Sequence, residues 1–571
     1  MVKEVLLIFK THLDIGFTDY SENIVNDYIN EYIPMAISLG YELKGTDTPF
    51  IWTAGSWIID KALKTDGGRL EQAIKDGIIS WHGLPFTTHT ELMNKELFEY
   101  GISISKKLDE RFGVKTISAK LTDVPGHTVG MIEPLADSGI EFLHIGVNPA
   151  TPVPKVPPLF RWKYKGKSVV VMYQADYGEF AEFDGFVIGF AHTGDNHGPQ
   201  GVDDIRKLYC EISKKYPGAE IKAATLNDAA ERICALPDIP VFEKEIGDTW
   251  IHGAATDPAK LSLYRELLRY IKTNKLQNVD LSDSLLMVPE HTWGMDTKLY
   301  LPDTDHYLNE DFKKIISGDM CKKIALSWDE QRNYVYEAYK KLNLTPEYDV
   351  SCQDFADYTE VASESINFEI SWQLFDTSDY IRYRDNYVRS EEEWAIRDFT
   401  KVGLPEYRGG IFYAQCLKTF KNYNKTIYVL SFGSAGEEYG LPQFTVELSD
   451  NCYTVKWHNK KPSRLPQAFW FKFKGMHEKW EINKMSEWIK PEDIADSKLI
   501  CAFEDGVRNR DLTILSYDCA LAAPYGKHLL EYNIDVTGQD MHFNLYNNIW
   551  NTNFPMWYSD DAVFRFKIVE R

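Results

Sequence analysis

His12 and Asp14 are the first residues along the chain whose types and spacing could do chemistry. They sit in VLLIFKTHLDIGFTDY, Val5 to Tyr20, immediately after the apolar run Val5-Leu6-Leu7-Ile8-Phe9. In extended backbone, residues two apart point to the same side. An imidazole and a carboxylate converging at a strand end make half of a tetrahedral or five-coordinate Zn²⁺ site. Candidates for the other half lie far away in sequence. Asp123 closes the strand candidate Ile117 to Leu121, just before the VPGH turn, and His252 stands in the Gly-rich GDTWIHGAATDP. His12, Asp14, Asp123 and His252 together form a His₂Asp₂ set suited to Zn²⁺ or another borderline divalent ion, with room for substrate oxygens.

The elements that must position these residues alternate in type. An unbroken apolar strand such as Val5–Phe9 is expected to be buried on both faces. A helix over Ser21 to Gly40, a strand over Pro49 to Thr53, a helix running to Gly77 and a strand over Ile78 to Trp81 follow. Such βαβα order indicates a parallel sheet with crossover helices, whose site lies at the carboxyl ends of the strands. The next loop, WHGLPFTTHTELM, ends at a helix expected over Glu91 to Phe112. Glu91 there either favours that helix's amino end or reaches substrate. LFRWKYKGKSVVVMYQ reads as a hairpin around Lys165-Gly166-Lys167, and the strand Phe186 to Ala191 empties into a loop with His192, Asp195, Asn196 and His197. From Pro258 the pattern is helical, Lys260 to Leu276 and Asn309 to Leu342, which suits a small bundle. The loop inside it offers Glu290, His291, Trp293 and Asp296 to a cleft, His291 being either structural or substrate-facing. Beyond Phe368 the period becomes two, as in an antiparallel β-sandwich.

A chain of 571 residues exceeds one hydrophobic core, so roughly two to four domains are expected. The net charge of −22, mixed along the sequence, argues against a nucleic-acid or anionic-membrane surface. No apolar run approaches the about 18 residues of a membrane span. Met1-Val2-Lys3-Glu4 leads directly into the first strand without the pattern of a signal peptide, so a cytoplasmic location is expected. The eight cysteines are dispersed with no CxxC pair, which fits reduced thiols and excludes a Cys-type zinc site. Aromatics reach 14%, and their planes suit both sugar stacking and sandwich cores.

At these same residues the sequence resembles the glycoside hydrolase family 38 α-mannosidases. HLDIGFT resembles that family's HxD strand-end motif, and GIISWHGLPFTTHTELMN its strand, loop and Asp-Glu segment. RFGVKTISAKLTDVPGHTVGMIEPLADSGI parallels its Gly-Val-Lys-Pro…Asp-Pro-Phe-Gly-His-Ser block, and IHGAATDP stands where the family has His-Asp-Ala-x-Thr-Gly. The similarity runs over about residues 1 to 350 in order and spacing. It implies that His12, Asp14, Asp123 and His252 bind zinc and that Asp123 is also the nucleophile of a retaining glycosidase. A zinc on vicinal sugar hydroxyls would hold the ring near its oxocarbenium-like geometry. The expected architecture is α/β plus all-β: an N-terminal (β/α)7-type barrel over residues 1–256, a helical bundle over 257–350 and a C-terminal antiparallel β-sandwich over 351–571.

Two departures are informative. The family's acid/base lies in a Gly-Asp-Asp segment, but here the comparable stretch is HTGDNHGP, and Asn196 cannot deliver a proton. Asp195 becomes the candidate acid, with Glu91 and His197 behind it. The Asp that follows the family's zinc His is Gly253 here, so a mannose-shaped subsite is not implied. The expected partner is a carbohydrate with α-linked sugars, contacted by Glu91, His197, His291 and Trp293, and homo-oligomerisation is left open. Two other readings are a lyase or metal-dependent deacetylase on the same scaffold, and a sugar-binding protein without turnover. The C-terminal NLYNNIWNTNFPMWY is either sandwich core or a segment that folds back so that Trp550 or Trp557 walls the cleft.

Overall fold

The computed structural model describes residues 2–65, 67–301, 306–352, 354–362, 365–476, 479–495, 500–532 and 540–571. Its central strand is Glu4–His12, whose residues Val5 to Phe9 are all buried. That burial follows from its neighbours. The strand pairs in parallel with Phe186–Asp195 along its length, with Trp52–Gly55 near its end, and with Glu220–Ala223 near its start. Ile79–His82 continues this sheet beyond Trp52–Gly55. A second sheet runs Val241–Phe242, Leu159–Tyr164, Lys167–Gln174, Phe142–Val147 and Ser118–Asp123. Among the described residues the strands therefore form two sheets rather than one continuous barrel ladder. Gly83 N donates to Ser118 O at 2.8 Å where the two sheets approach. The hairpin at Lys165-Gly166 turns through positive φ at both residues, 46° and 82°, the geometry that matches strand twist.

The helix expected from Glu91 begins later. It covers Lys95–Phe112, because Asn94 caps it by accepting from Leu97 N at 3.0 Å, while Thr90–Leu92 forms a separate 3-10 turn. In the helical segment, Pro258–Asn274 is capped by Asp257, and the second long helix is divided into Asn309–Ile315 and Asp319–Lys341. Gln331 of the latter donates from Nε2 to Ile15 O at 2.8 Å, so this helix buttresses the loop that carries Asp14. Gly16 beside it has φ 112°, and a Cβ there would stand 2.9 Å from Gln331 Nε2.

The second half contains a ten-stranded and a six-stranded sheet, all antiparallel among the described residues. Phe444 and Trp457 of one meet Phe469 of the other at ring separations of 5.7 and 5.5 Å. Three helices, Thr377–Tyr387, Glu393–Phe399 and Ser434–Tyr439, interrupt the β pattern expected there. Asp376 starts the first with a capping box, and Tyr380, Tyr383 and Tyr387 bury one helical face. The two halves share one continuous apolar core, from Val5 to Phe566. No described helix is long and apolar enough to cross a membrane.

Candidate metal centre and active-site cleft

Parallel pairing sets His12 opposite Asp195, so the ends of two central strands deliver their side chains together. His12 Nε2 lies 3.0 Å from Asp14 Oδ1, His291 Nε2 lies 2.9 Å from the same oxygen, and the two imidazole nitrogens are 3.1 Å apart. Ligand atoms around a tetrahedral Zn²⁺ about 2.0–2.1 Å away would lie about 3.3 Å from one another. This buried trio forms a group that could hold a metal ion. Asp123 Oδ2 stands at its edge, 3.6 Å from His291 Nε2. Two imidazole nitrogens and two carboxylates are a donor set that fits Zn²⁺ or a similar divalent ion.

Surrounding groups orient each donor. Glu290 Oε1 lies 2.6 Å from His291 Nδ1, which turns Nε2 towards Asp14. Burial opposes protonation of His291, but Glu290 and Asp14 outweigh it and hold the ring well above the usual imidazole range. Burial likewise opposes ionisation of Asp14, yet His12 and His291 hold its carboxyl well below the usual range. Asn196 clamps the loop from both sides. Its Oδ1 accepts from Asp14 N at 3.0 Å, and its Nδ2 donates to Asp14 O at 2.9 Å. An ionised Asp could not make the second bond, which accounts for an amide at this position.

Asp123 has φ 81°, uncommon for a non-glycine residue. Its Oδ1 accepts from Tyr177 Oη at 2.5 Å and from Asn148 Nδ2 at 3.2 Å. Asp195 has a buried Oδ1 without a hydrogen-bond partner among the described residues. Burial, with Asp14 and Asp123 nearby, pushes its carboxyl up to about 7. Asp14, Asp123 and Asp195 line one cavity of about 330 Å³, near the lower end of small-molecule sites. Trp250, Trp394, Phe399, Trp550 and Phe554 give it aromatic walls.

Solved structures share the overall fold. An α-mannosidase from Enterococcus faecalis V583 superposes with a TM-score of 0.59 at 9% identity, covering 100% of this chain and 87% of that one. A protein of glycosyl hydrolase family 38 from Enterococcus faecalis gives 0.55 at 9% identity, with 100% and 86% covered. The fold is glycoside hydrolase family 38-like. A family profile described as a domain of unknown function, DUF5054, matches residues 254–356. No curated protein matches the sequence.

Within this family 38-like fold several sequence expectations change. His252 does not join the group around Asp14. Its ring lies flat on Trp550, 4.7 Å away and inclined by 5°, and its carbonyl accepts from Asn547 Nδ2. His291, expected to face substrate or serve structure, takes the second imidazole place instead. Glu91 is remote from the cleft. Its carboxylate accepts from Asp248 N and Ala502 N at 3.0 Å and pairs with Lys484 at 2.8 Å, which joins the two halves of the chain. Trp293 is core, with the Lys260 ammonium 3.8 Å above its ring. His197 is exposed and outside the cavity lining. Trp550 walls the cleft, whereas Trp557 packs on Trp328 and Phe312. Gly253 is required by that wall, since a Cβ there would meet the Phe554 ring at 2.5 Å.

Tyr177, Asn148 and Asp398 escaped the sequence reading. Tyr177 and Asn148 lie in irregular stretches with no motif. Glu290, expected to be available to a cleft, instead stands beside His291 Nδ1. Lys298, paired with Asp296 at 2.9 Å and with Asp398, brings one ammonium to the cleft.

Proposed function

We propose that the protein is a metal-dependent retaining glycosidase, α-mannosidase-like, acting on neutral α-linked sugars. The observation that carries this reading is the placing of Asp123 at the edge of the His12–Asp14–His291 group and in one cavity with Asp195. Asp123 attacks the anomeric carbon through Oδ2, while Tyr177 and Asn148 hold its Oδ1 and aim the carboxylate. Asp195 delivers a proton to the leaving oxygen, a task suited to a carboxyl held near 7. After departure of the aglycone, the same carboxylate takes a proton from the attacking water. A bound Zn²⁺, held by His12, Asp14 and His291 with Asp123 beside them, would supply Lewis-acid anchoring of vicinal hydroxyls. The aromatic walls exclude water and present faces to sugar rings. Five aspartates and one lysine among the lining residues disfavour anionic sugars by charge.

The test is hydrolysis of aryl α-glycosides, mannoside included, by zinc-loaded wild type and Asp123→Asn. The expected outcome is turnover in wild type, a loss of about 10³-fold or more in the variant, and covalent labelling of Asp123 by a fluorinated glycoside. A zinc-loaded wild type that hydrolyses none of the α-glycosides, or labels elsewhere, would overturn the reading.

A further inference from the structure

The helix Glu393–Phe399 belongs to the second half of the chain, yet it lines the cleft that the first half opens. Trp394 and Asp398 are four residues apart and share one helical face. Both line the cavity that also holds Asp14, Asp123 and Asp195. The helix is fixed in that position by its neighbours. The Phe399 ring lies 6.0 Å from Trp250 and 5.4 Å from Trp550, and Arg397 O accepts from Asn551 Nδ2 at 3.1 Å.

Exposure distinguishes the two ends of the cleft. His12, Asp14 and His291 are buried, so the metal group is the closed end. Trp250, Phe399, Trp550 and Phe554 are at most 8% exposed, whereas Trp394 is 40% exposed and marks the mouth. A single exposed aromatic needs no explanation by itself. Here it shares its face with Asp398, which pairs directly with Lys298, and Lys298 also pairs with Asp296 at 2.9 Å. Asp296 caps the helix Thr297–Tyr300, and its N–H donates to Phe17 O at 2.8 Å, which ties the ammonium to the segment that carries Asp14. An ammonium has three N–H groups. With two directed at these aspartates, one is left for the cavity, and one cation cannot occupy all four carboxylate oxygens. The mouth therefore sets donor and acceptor positions beside an aromatic plane.

We propose that Trp394, Asp398 and Lys298 form a subsite for a second sugar, the one that leaves, so that the substrate is an α-linked oligosaccharide rather than a simple glycoside. This rests on the glycosidase reading above. A ring anchored at the metal group lies at the closed end, and the sugar joined to its anomeric carbon projects towards the mouth. Its apolar face meets the Trp394 plane. Its hydroxyls, each donor and acceptor at once, match the Lys298 N–H and the aspartate oxygens.

The experiment is titration calorimetry on full-length, zinc-loaded Asp123→Asn, which binds without turnover. The probes are α-linked mannobioses and glucobioses, each measured against its own monosaccharide. At least one disaccharide should bind about tenfold more tightly than its monosaccharide. Adding Trp394→Ala should bring that ratio within about twofold, Trp394→Phe should restore most of it, and Asp398→Asn should lower it. A ratio of two affinities in one protein is not moved by a general loss of stability or of metal, so a merely structural role for Trp394 would leave it unchanged. Equal affinities for every pair, no binding of either sugar, or a ratio that survives Trp394→Ala would overturn the subsite. Hydrolysis of the same disaccharides by zinc-loaded wild type is scored separately. Its absence would overturn the glycosidase reading, while a ratio lost in Trp394→Ala would still support a two-sugar site.

Discussion

Two buried charge clusters of similar composition serve opposite ends in this protein. At the seam between the halves, Lys484 lies 2.8 Å from Glu91 and 3.0 Å from Glu245. Asp248 N and Ala502 N donate to Glu91, and Val129 N donates to Glu245 at 2.7 Å. Each carboxylate has its partners within the fold, and the cluster fastens strand ends to the sandwich. At the strand ends, by contrast, Asp14 Oδ1 receives two imidazole nitrogens, Asp123 turns one oxygen towards His291, and Asp195 Oδ1 lacks a partner. Asp14 is as buried as the seam carboxylates, whereas Asp123 and Asp195 are half-buried at the cavity, and satisfaction differs as well. A completed polar network specifies structure, whereas one left open on a cavity is available to a ligand.

This contrast is broken most severely at the seam. Lys484→Met leaves two buried carboxylates without their cation, so stability should fall by about 3–5 kcal/mol, read from the denaturant midpoint. Metal content of the remaining folded protein should be unchanged.

Next in size is Asp195→Asn, expected to lower turnover of an unactivated glycoside by about 10²–10⁴-fold with stability nearly constant. For wild type the acid must be protonated, so kcat/KM is expected to decline as pH rises through about 7. A pH profile of the variant should lack this alkaline limb.

Glu290→Gln keeps the shape of the side chain but removes the charge that orients His291. Zinc affinity measured by competition titration should fall about 10–100-fold. The smallest effect separates the two histidines. His252→Ala should retain zinc and lose about 0.5–1.5 kcal/mol from its stack on Trp550, while His291→Ala should lose the metal. Zinc lost in His252→Ala but kept in His291→Ala would invert the assignment.

Local features were legible without the structure. The apolar run Val5–Phe9, the HxD pair after it, and the strand-end aspartates Asp123 and Asp195 all follow from patterns a few residues long. The Lys165-Gly166 turn does too, since positive φ at both positions is a local demand. Even the departure at Asn196 was visible as a change of type, although its purpose, a two-sided clamp on Asp14, was not.

What only the tertiary structure decided were the pairings between distant segments. His12 and His291 are 279 residues apart, and nothing local distinguishes the His291 loop from the His252 loop as the one that reaches the strand ends. Packing chose between them, because the Trp550 ring covers His252 while Glu290 aims His291 at Asp14. Glu91 was ambiguous for the same reason, its partners Lys484 and Ala502 arriving from the far half of the chain. The sequence by itself determined the strands, the first pair of candidate metal ligands and the carboxylates at the rim, since periodicity and residue type are carried locally. Long-range burial and hydrogen bonding then decided which histidine completes the group and which glutamate joins the halves.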